Sequence, residues 1–330
     1  MIKYIINRIL YSVPIIFLIS IITFSLIQLP PGSYLDTVIV QMTEAGVEVD
    51  EAYLVSLKER YALDKSFIEQ YYKWIKDIIL EFEFGRSWLY ERPIIELIGE
   101  RLPWTLGISF LTFLFIWLIS FPISVYSATH KYSFGDNLFT FLGFLGLGVP
   151  NFLFALILMW IGFKYFGIEI GGLFSEDYRN QNWNLGKLVD LLKHVWVPVL
   201  VLGTAGTAEL IRTTRAVLLD ELKKPYVIAA LARGLSYNRV VWKYPVKFAL
   251  NPFVSSIGLM MPMLISGSAI VSVVLSLPTI GPLQIRALMA QDMYLAGDIL
   301  LLQSILVVAG TIISDILLAI IDPRIRIKEI

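Results

Sequence analysis

Read for runs free of Asp, Glu, Lys and Arg, the chain divides into long apolar stretches separated by short charged segments. A charge at the centre of a bilayer costs at least about 2.5–3.5 kcal/mol, and roughly 20 apolar residues cross the hydrocarbon core. Each long run is therefore a predicted transmembrane helix. The first is Ile9 to Leu29. It follows Lys3 and Arg8 as a signal peptide would, but its apolar region exceeds the usual ~7–15 residues. Leu29-Pro30-Pro31-Gly32 offers no A-x-A cleavage site, so the segment reads as a retained span. Leu102 to Thr129 is the second span and Leu138 to Phe163 the third, closed by Lys164, with His130, Lys131 and Asp136 in the turn between them. A fourth begins near Val195, runs past Gly206 and meets Glu209, Arg212 and Arg215 at helical spacing, which predicts a helix continuing beyond the bilayer. The uncharged run Phe248 to Ile285 has 38 residues, too many for one helix. Its predicted span is about Pro252 to Leu275, and Leu277-Pro278-Thr279-Ile280-Gly281-Pro282 is a break, because Pro and Gly end helices. The sixth span covers about Ile299 to Ile321 and carries Asp315.

Two polar segments keep a helical pattern. In the segment 30–101, Tyr53 to Tyr61 and Ser66 to Leu80 alternate Leu, Ile, Tyr and Trp with Lys, Glu and Asp at helical spacing, which predicts short helices against a membrane face. Tyr71, Tyr72, Trp74 and Trp88 suit an interfacial aromatic belt before they suit stacking on a ligand. Between the fourth and fifth spans, Pro225 to Ser236 reads as a short helix with Pro at its start and Gly234 at its end, followed by a second from about Tyr237 to Leu250. Small residues at Ala229, Ala230 and Ala232 allow close seating against a partner; a basic loop touching anionic lipid is the plainer alternative.

Composition agrees with the run count. The chain is 57% hydrophobic and 16% charged, whereas globular domains are about 45–50% apolar and about 25% charged. Mean hydropathy is +0.71. The net charge of zero gives no whole-chain attraction to nucleic acid, and there is no basic tail. With no Cys, disulfides, thiolate metal sites and thiol nucleophiles are excluded, and two histidines, His130 and His194, cannot build a His-rich metal centre.

The distribution of charge carries more information than its sum. Between Arg212 and Lys247 stand eight basic residues and two acidic ones, and residues 30–101 hold 14 acidic and 8 basic. Lys and Arg accumulate in loops on the cytoplasmic side. That rule places the 212–247 segment, Lys3 and Arg8, the His130-Lys131 turn and the Arg324-Ile325-Arg326-Ile327-Lys328 tail inside, and residues 30–101 outside. Six crossings with both termini cytoplasmic satisfy both signals.

A family resemblance then sharpens the reading. Tyr226-Val227-Ile228-Ala229-Ala230-Leu231-Ala232-Arg233-Gly234-Leu235-Ser236, with the Lys243 to Pro252 stretch, resembles the coupling loop of ATP-binding-cassette importer permeases, in the form found in dipeptide/oligopeptide transporter subunits. The start Tyr4-Ile5-Ile6-Asn7-Arg8-Ile9-Leu10 with Pro14, and Leu29-Pro30-Pro31-Gly32, are similar to that family. So are Phe84-Gly85-Arg86-Ser87, Arg92-Pro93-Ile94, Glu100-Arg101-Leu102-Pro103-Trp104-Thr105-Leu106 and Asp322-Pro323-Arg324-Ile325-Arg326. Two features depart from it: Pro225, Ile228 and Leu231 stand where the family usually has an acidic residue and two arginines, and Leu277-Pro278-Thr279-Ile280-Gly281 replaces an aromatic-Pro-Gly-x-Gly turn.

The resemblance implies an all-α polytopic membrane protein, with six transmembrane helices of the type I ABC importer fold and a small helical extracytoplasmic insertion. Its expected parts are residues 1–29 (N-terminal end and first span), 30–101 (extracytoplasmic helical subdomain) and 102–330 (permease core, with a coupling helix at about 222–247). It implies pairing with a second homologous permease, docking on one or two ABC ATPase subunits, supply by an extracytoplasmic substrate-binding protein, and no nucleic-acid partner. ATP and Mg are expected on the ATPase partners and no cofactor on this chain. G-x-x-x-x-G-K-[ST] is absent, the one Gly-Lys pair being Gly186-Lys187 followed by Leu188. The expected ATPase-coupling residues are Tyr226, Ala229, Ala230, Arg233, Gly234 and Leu235, flanked by Lys223 and Lys224. Met260, Met261 and Met263 are candidates to line an adaptable pathway, as is the intramembrane Asp315. Asp298 follows Gly297 as in the G-x-G-D of intramembrane aspartyl proteases, but position 295 is Leu, which counts against that chemistry. Peptides are the first expected substrate class and oligosaccharides the second. A secondary transporter or channel working without ATP is the rival class; it calls for internal repeats, and none is present in the sequence.

Overall fold

The computed structural model describes residues 2–28, 39–40, 43, 55, 59, 64–87, 89–167, 170–265 and 269–321. Its helices are α1 (Ile2–Gln28), α2 (Phe67–Lys76), α3 (Ile94–Thr129), α4 (Phe134–Gly148), α5 (Asn151–Ile161), α6 (Glu176–Arg179) and α7 (Leu185–Glu221). There follow α8 (Pro225–Ala232), α9 (Tyr237–Lys243), α10 (Pro245–Ile265), α11 (Ala269–Val274), α12 (Ile280–Met289) and α13 (Met293–Ile321). Single π turns at Asp77–Glu81 and Gly162–Phe166 extend α2 and α5. Among the described residues the only β pairing is a bridge between Arg86 and Pro93. In lipid this is the expected outcome, since a helix satisfies its own backbone N–H and C=O groups where no water can.

Among the described residues, α1, α3, α7 and α13 are each long and apolar enough to cross a membrane. The third expected span differs from its prediction: α4 and α5 meet at a bend of 103° instead of forming one straight helix. Pro150 has no N–H to donate and pushes its predecessor toward extended backbone; Val149 accordingly adopts φ −92°, ψ 120°. The fourth span begins earlier than expected, at Leu185, where the Asn184 side chain accepts from Lys187 N–H at 2.8 Å and caps the helix. The second short helix after it ends at Lys243, and Pro245 opens the 21-residue α10 seven residues ahead of the predicted span at Pro252. Leu29-Pro30-Pro31-Gly32, most of Tyr53 to Tyr61, Trp88 and the stretch from Asp322 to Lys328 lie outside the described residues.

The chain forms two compact units. One unit comprises residues 7–103 and 282–308, so the described part of the expected insertion packs with α1 and with the start of α13. Here Glu69 accepts from the Ser66 N–H at 2.9 Å and from its hydroxyl at 2.8 Å, opening α2. These hydrogen bonds hold the exposed Glu69 carboxyl below the usual range. Phe24 is fully buried among Phe67, Tyr71 and Trp74, with ring centroids 5.3, 5.7 and 5.3 Å away. Trp74, expected in an interfacial belt, is instead buried, because its indole N–H donates to Asp298 at 3.0 Å. Tyr71 likewise packs inward on Phe24 and shares a 2.7 Å hydrogen bond with Ser20, and Tyr72 stays exposed. Two stretches that carried the family resemblance pair here: Ser87 N–H donates to Arg92 C=O and Ile94 N–H to Gly85 C=O, each at 3.0 Å. The Ser87 hydroxyl and Leu89 N–H both donate to the buried carboxylate of Asp292.

The other unit comprises residues 1–6, 104–281 and 309–330, and α7 is its axis, packed against α4, α5, α10 and α11. Ala155, Val195, Val197, Val201, Val271 and Leu275 form one apolar cluster. Val125, Ala128, Leu218, Val241, Val246 and Ala249 form another, nearer the α8–α9 segment. Between them in sequence, Asp136 at the start of α4 accepts from Arg215 of α7 through Nε at 2.8 Å and Nη2 at 2.7 Å. The same carboxylate accepts from Tyr132 N–H at 2.8 Å. Asp136 is 2% exposed and Arg215 24%, so little water competes for the pair.

Two measurements test these packing statements. A Cβ at Gly281 would lie 2.6 Å from Ala269 Cα, a backbone atom that cannot rotate away, whereas one at Gly107 meets nothing within 4 Å. Gly281→Ala is therefore expected to cost about 1–3 kcal/mol in detergent thermal melts, and Gly107→Ala to be neutral or mildly stabilising. For the ion pair, Asp136→Ala and Arg215→Ala are each expected to cost about 3–5 kcal/mol, because each leaves a charge buried without its partner. The double variant should cost much less than the sum; additive losses would show that the pair contributes no mutual stabilisation.

Candidate functional site

The segment between Glu221 and Pro245 is a helical hairpin whose sequence specifies both ends of α8. Pro225 occupies its first position, where a missing N–H costs nothing, and Val227 and Ile228 donate back to Lys224 C=O at 3.0 and 3.3 Å. At its other end, Leu235 N–H donates to Ala230 C=O at 3.4 Å and Gly234 N–H to Leu231 C=O at 2.9 Å, the two bonds of a Schellman stop. That stop needs a left-handed residue, and Gly234 supplies it at φ +81°.

Packing then decides which face of α8 is presented. Val227 and Ala230, three residues apart on one stripe, are buried with Val240 of α9 and backed by Leu235 and Tyr244. The opposite face is open: Ile228 is 60% exposed, and Tyr226, Ala229, Leu231, Ala232 and Arg233 are exposed beside it. Lys223 and Lys224 are exposed at its entrance. Tyr226 fastens the hairpin to its neighbours. Its hydroxyl donates to Glu221 at the end of α7, and its ring lies 6.2 Å from those of Tyr244 and Phe248. Burial, then the Glu221 carboxylate, push the Tyr226 phenol up, so it stays a donor throughout the physiological range.

The six expected coupling residues thus come together in one hairpin with two different jobs. Tyr226, Ala229 and Arg233 lie on the open side, whereas Ala230, Leu235 and Gly234 build the turn and its contact with α9. Ile228 and Leu231 are exposed apolar residues that small-residue spacing did not single out. The signal was present in the 227/230 stripe, which leaves 228 on the far face and 231, four residues after 227, at the stripe's edge. The pathway candidates lie elsewhere. Met260 is half-buried on α10 against the cluster of Ile116, Leu210 and Phe253. Met261 and Met263 belong to α10, but their side chains lie outside the described residues. Asp315 is half-buried on α13, where the Tyr4 hydroxyl lies 3.5 Å from its main-chain carbonyl. Asp298 is fully buried and engaged by Trp74. Lys187, of the lone Gly-Lys pair, is buried and donates to Gln181 C=O, a structural role.

Comparison with known proteins places this architecture. Residues 120–327 match the family described as binding-protein-dependent transport system inner membrane component, and residues 1–109 match its N-terminal counterpart. The oligopeptide transport system permease protein AppB of Bacillus subtilis (strain 168) is 35% identical over 327 residues, covering 99% of this chain and 100% of that protein. The dipeptide transport system permease protein DppB of Lactococcus lactis subsp. cremoris (strain MG1363) is 28% identical over 331 residues, covering 99% and 100%. The inner membrane ABC transporter permease protein YejB of Escherichia coli O157:H7 is 28% identical over 358 residues, covering 98% of each. With the family match spanning most of a helical, multi-pass chain, this protein belongs to the binding-protein-dependent transport system inner membrane components and is a transport permease of the type I ABC importer fold.

Proposed function

We propose that this permease is the membrane-spanning subunit of an ATP-driven importer of oligopeptides or dipeptides. The observation that carries the substrate class is 35% identity to an oligopeptide permease protein over 99% of this chain and 100% of that protein. In this reading the α8–α9 hairpin, both termini and the His130-Lys131 turn face the cytoplasm of the cell, and residues 30–101 face outward, as the basic and acidic excesses require. A second homologous permease completes the pathway, an extracytoplasmic binding protein delivers the peptide, and ABC ATPase subunits hold ATP and Mg. The open face of α8 seats in a groove of one ATPase, with Ile228, Ala229 and Leu231 as apolar contacts and Lys223, Lys224 and Arg233 as its charged rim. Pro225, Ile228 and Leu231 replace the family's usual polar residues, so this docking rests more on apolar fit and less on ion pairs.

Reconstitution of the complete set of subunits in liposomes tests the reading. Uptake of a labelled oligopeptide should require ATP, the ATPases and the binding protein. Ile228→Asp, on the exposed side of α8, should leave the melting temperature unchanged and lower uptake at least about tenfold, the effect of about 1.4 kcal/mol lost at the docking face. Uptake by this chain without an ATPase would sink the importer assignment, and uptake of oligosaccharide in place of peptide would sink the substrate class.

A further inference from the structure

A cavity of about 830 Å³ opens between the end of α5 with its π turn, the first half of α7 and the 275–277 turn. Its walls are apolar: Leu158, Ile161, Phe166, Val197, Leu275 and Leu277. Two ionisable side chains, Lys193 and His194, also line it. Lys193 is exposed and half-buried His194 is fixed: its Nδ1 lies 2.7 Å from Asp190 C=O. Because a carbonyl only accepts, Nδ1 carries the proton of that bond, and Nε2 is the ring position left for a ligand. The Asp190 carboxylate accepts from the Ser175 N–H at 2.9 Å and hydroxyl at 2.8 Å, and its Oδ1 lies 3.7 Å from His194 Nδ1, on the side of the ring away from Nε2. Aromatic residues mark the depth. Trp196 lines the cavity and is half-exposed, and the Lys164 ammonium lies 4.6 Å from the Trp160 ring centroid. Trp and Lys at this spacing are the residues that anchor at the headgroup level of a bilayer.

The geometry points to a binding site for one anionic glycerophospholipid, with an acyl chain in the cavity, the phosphate at Lys193 and a headgroup hydroxyl donating to His194 Nε2. Charge complementarity selects this occupant. A neutral chain would leave Lys193 without a counter-charge, and a peptide backbone in these walls would find almost no hydrogen-bond partners. The volume is also that of a ligand pocket, larger than a packing defect.

The test uses the full chain in detergent, titrated with phosphatidylglycerol or phosphatidylcholine of identical acyl chains and read by native mass spectrometry and thermal melting. Phosphatidylglycerol is expected to be retained about fivefold more than phosphatidylcholine, the contribution of one lysine near an anionic surface. Lys193→Gln and Lys193→Glu, both at an exposed position that does not support the fold, should bring that ratio to about one. Leu158→Trp, which fills the cavity, should reduce retention of both lipids. Equal retention by the unaltered chain, or a preference that survives Lys193→Glu, overturns the proposal. A photoreactive group at position 158 that crosslinks to peptide or to a second polypeptide instead of lipid, in the reconstituted transporter, overturns it as well.

Discussion

The unit built on α7 depends on that helix being continuous. At 37 residues and about 1.5 Å per residue it is some 55 Å long, against a hydrocarbon core of about 30 Å. A helix this long has to leave the bilayer, and it does so carrying Glu209, Arg212 and Arg215 on its far half, as a charge-bearing extension must. Pro198 lies within it and is buried, and the helix continues through it without a break. The consequence is mechanical. After Glu221 only three residues separate this axis from α8, and the Tyr226 hydroxyl ties α8 back to Glu221 itself.

Seen along that axis, the Asp136–Arg215 pair acquires a second meaning. Arg215 is less than two turns before the end of α7, and Asp136 sits at the start of the bent α4–α5 span. On the proposed function, a displacement of α8 by an ATPase enters α7 through the short turn and Tyr226. The bidentate pair is then the first polar contact that passes it to another span. A buried ion pair is weak evidence for stability, since desolvation consumes most of its Coulombic gain. Its better-attested use is to fix register, and fixed register between α4 and α7 is what a transmitted motion requires.

How much of this was legible in the sequence depends on whether the cause was local. Four spans and the bent α4–α5 pair were, because charge-free runs report bilayer crossing directly, and so was the hairpin, because Pro225 and Gly234 carry their backbone consequences with them. The bend at Val149-Pro150 was not, since it falls inside a charge-free run and counting charges does not see a proline. The burial of Trp74 was not, since its partner Asp298 is 224 positions away. Nor was the division of labour within Ala229-Ala230: the two are chemically identical, and only Val240, across the hairpin, decides which is buried.

The breaks in the apolar runs follow a single rule of hydrogen-bond supply. Irregular backbone at membrane depth is tolerated only where protein satisfies it. Around 275–281 the chain turns from α11 into α12, and its groups are met from other elements. Leu275 C=O accepts from Gly172 N–H at 2.7 Å, and Ile280 N–H donates to the Thr105 hydroxyl of α3 at 2.9 Å. Thr105 belongs to the Trp104-Thr105-Leu106 stretch that carried part of the family resemblance, and Gly281 follows the residue it binds. Here the hydroxyl at 105 supplies the Ile280 N–H, and the 2.6 Å approach to Ala269 Cα leaves room at 281 for glycine but not for a Cβ, so the turn's hydrogen bonding and its packing are met by these two neighbours.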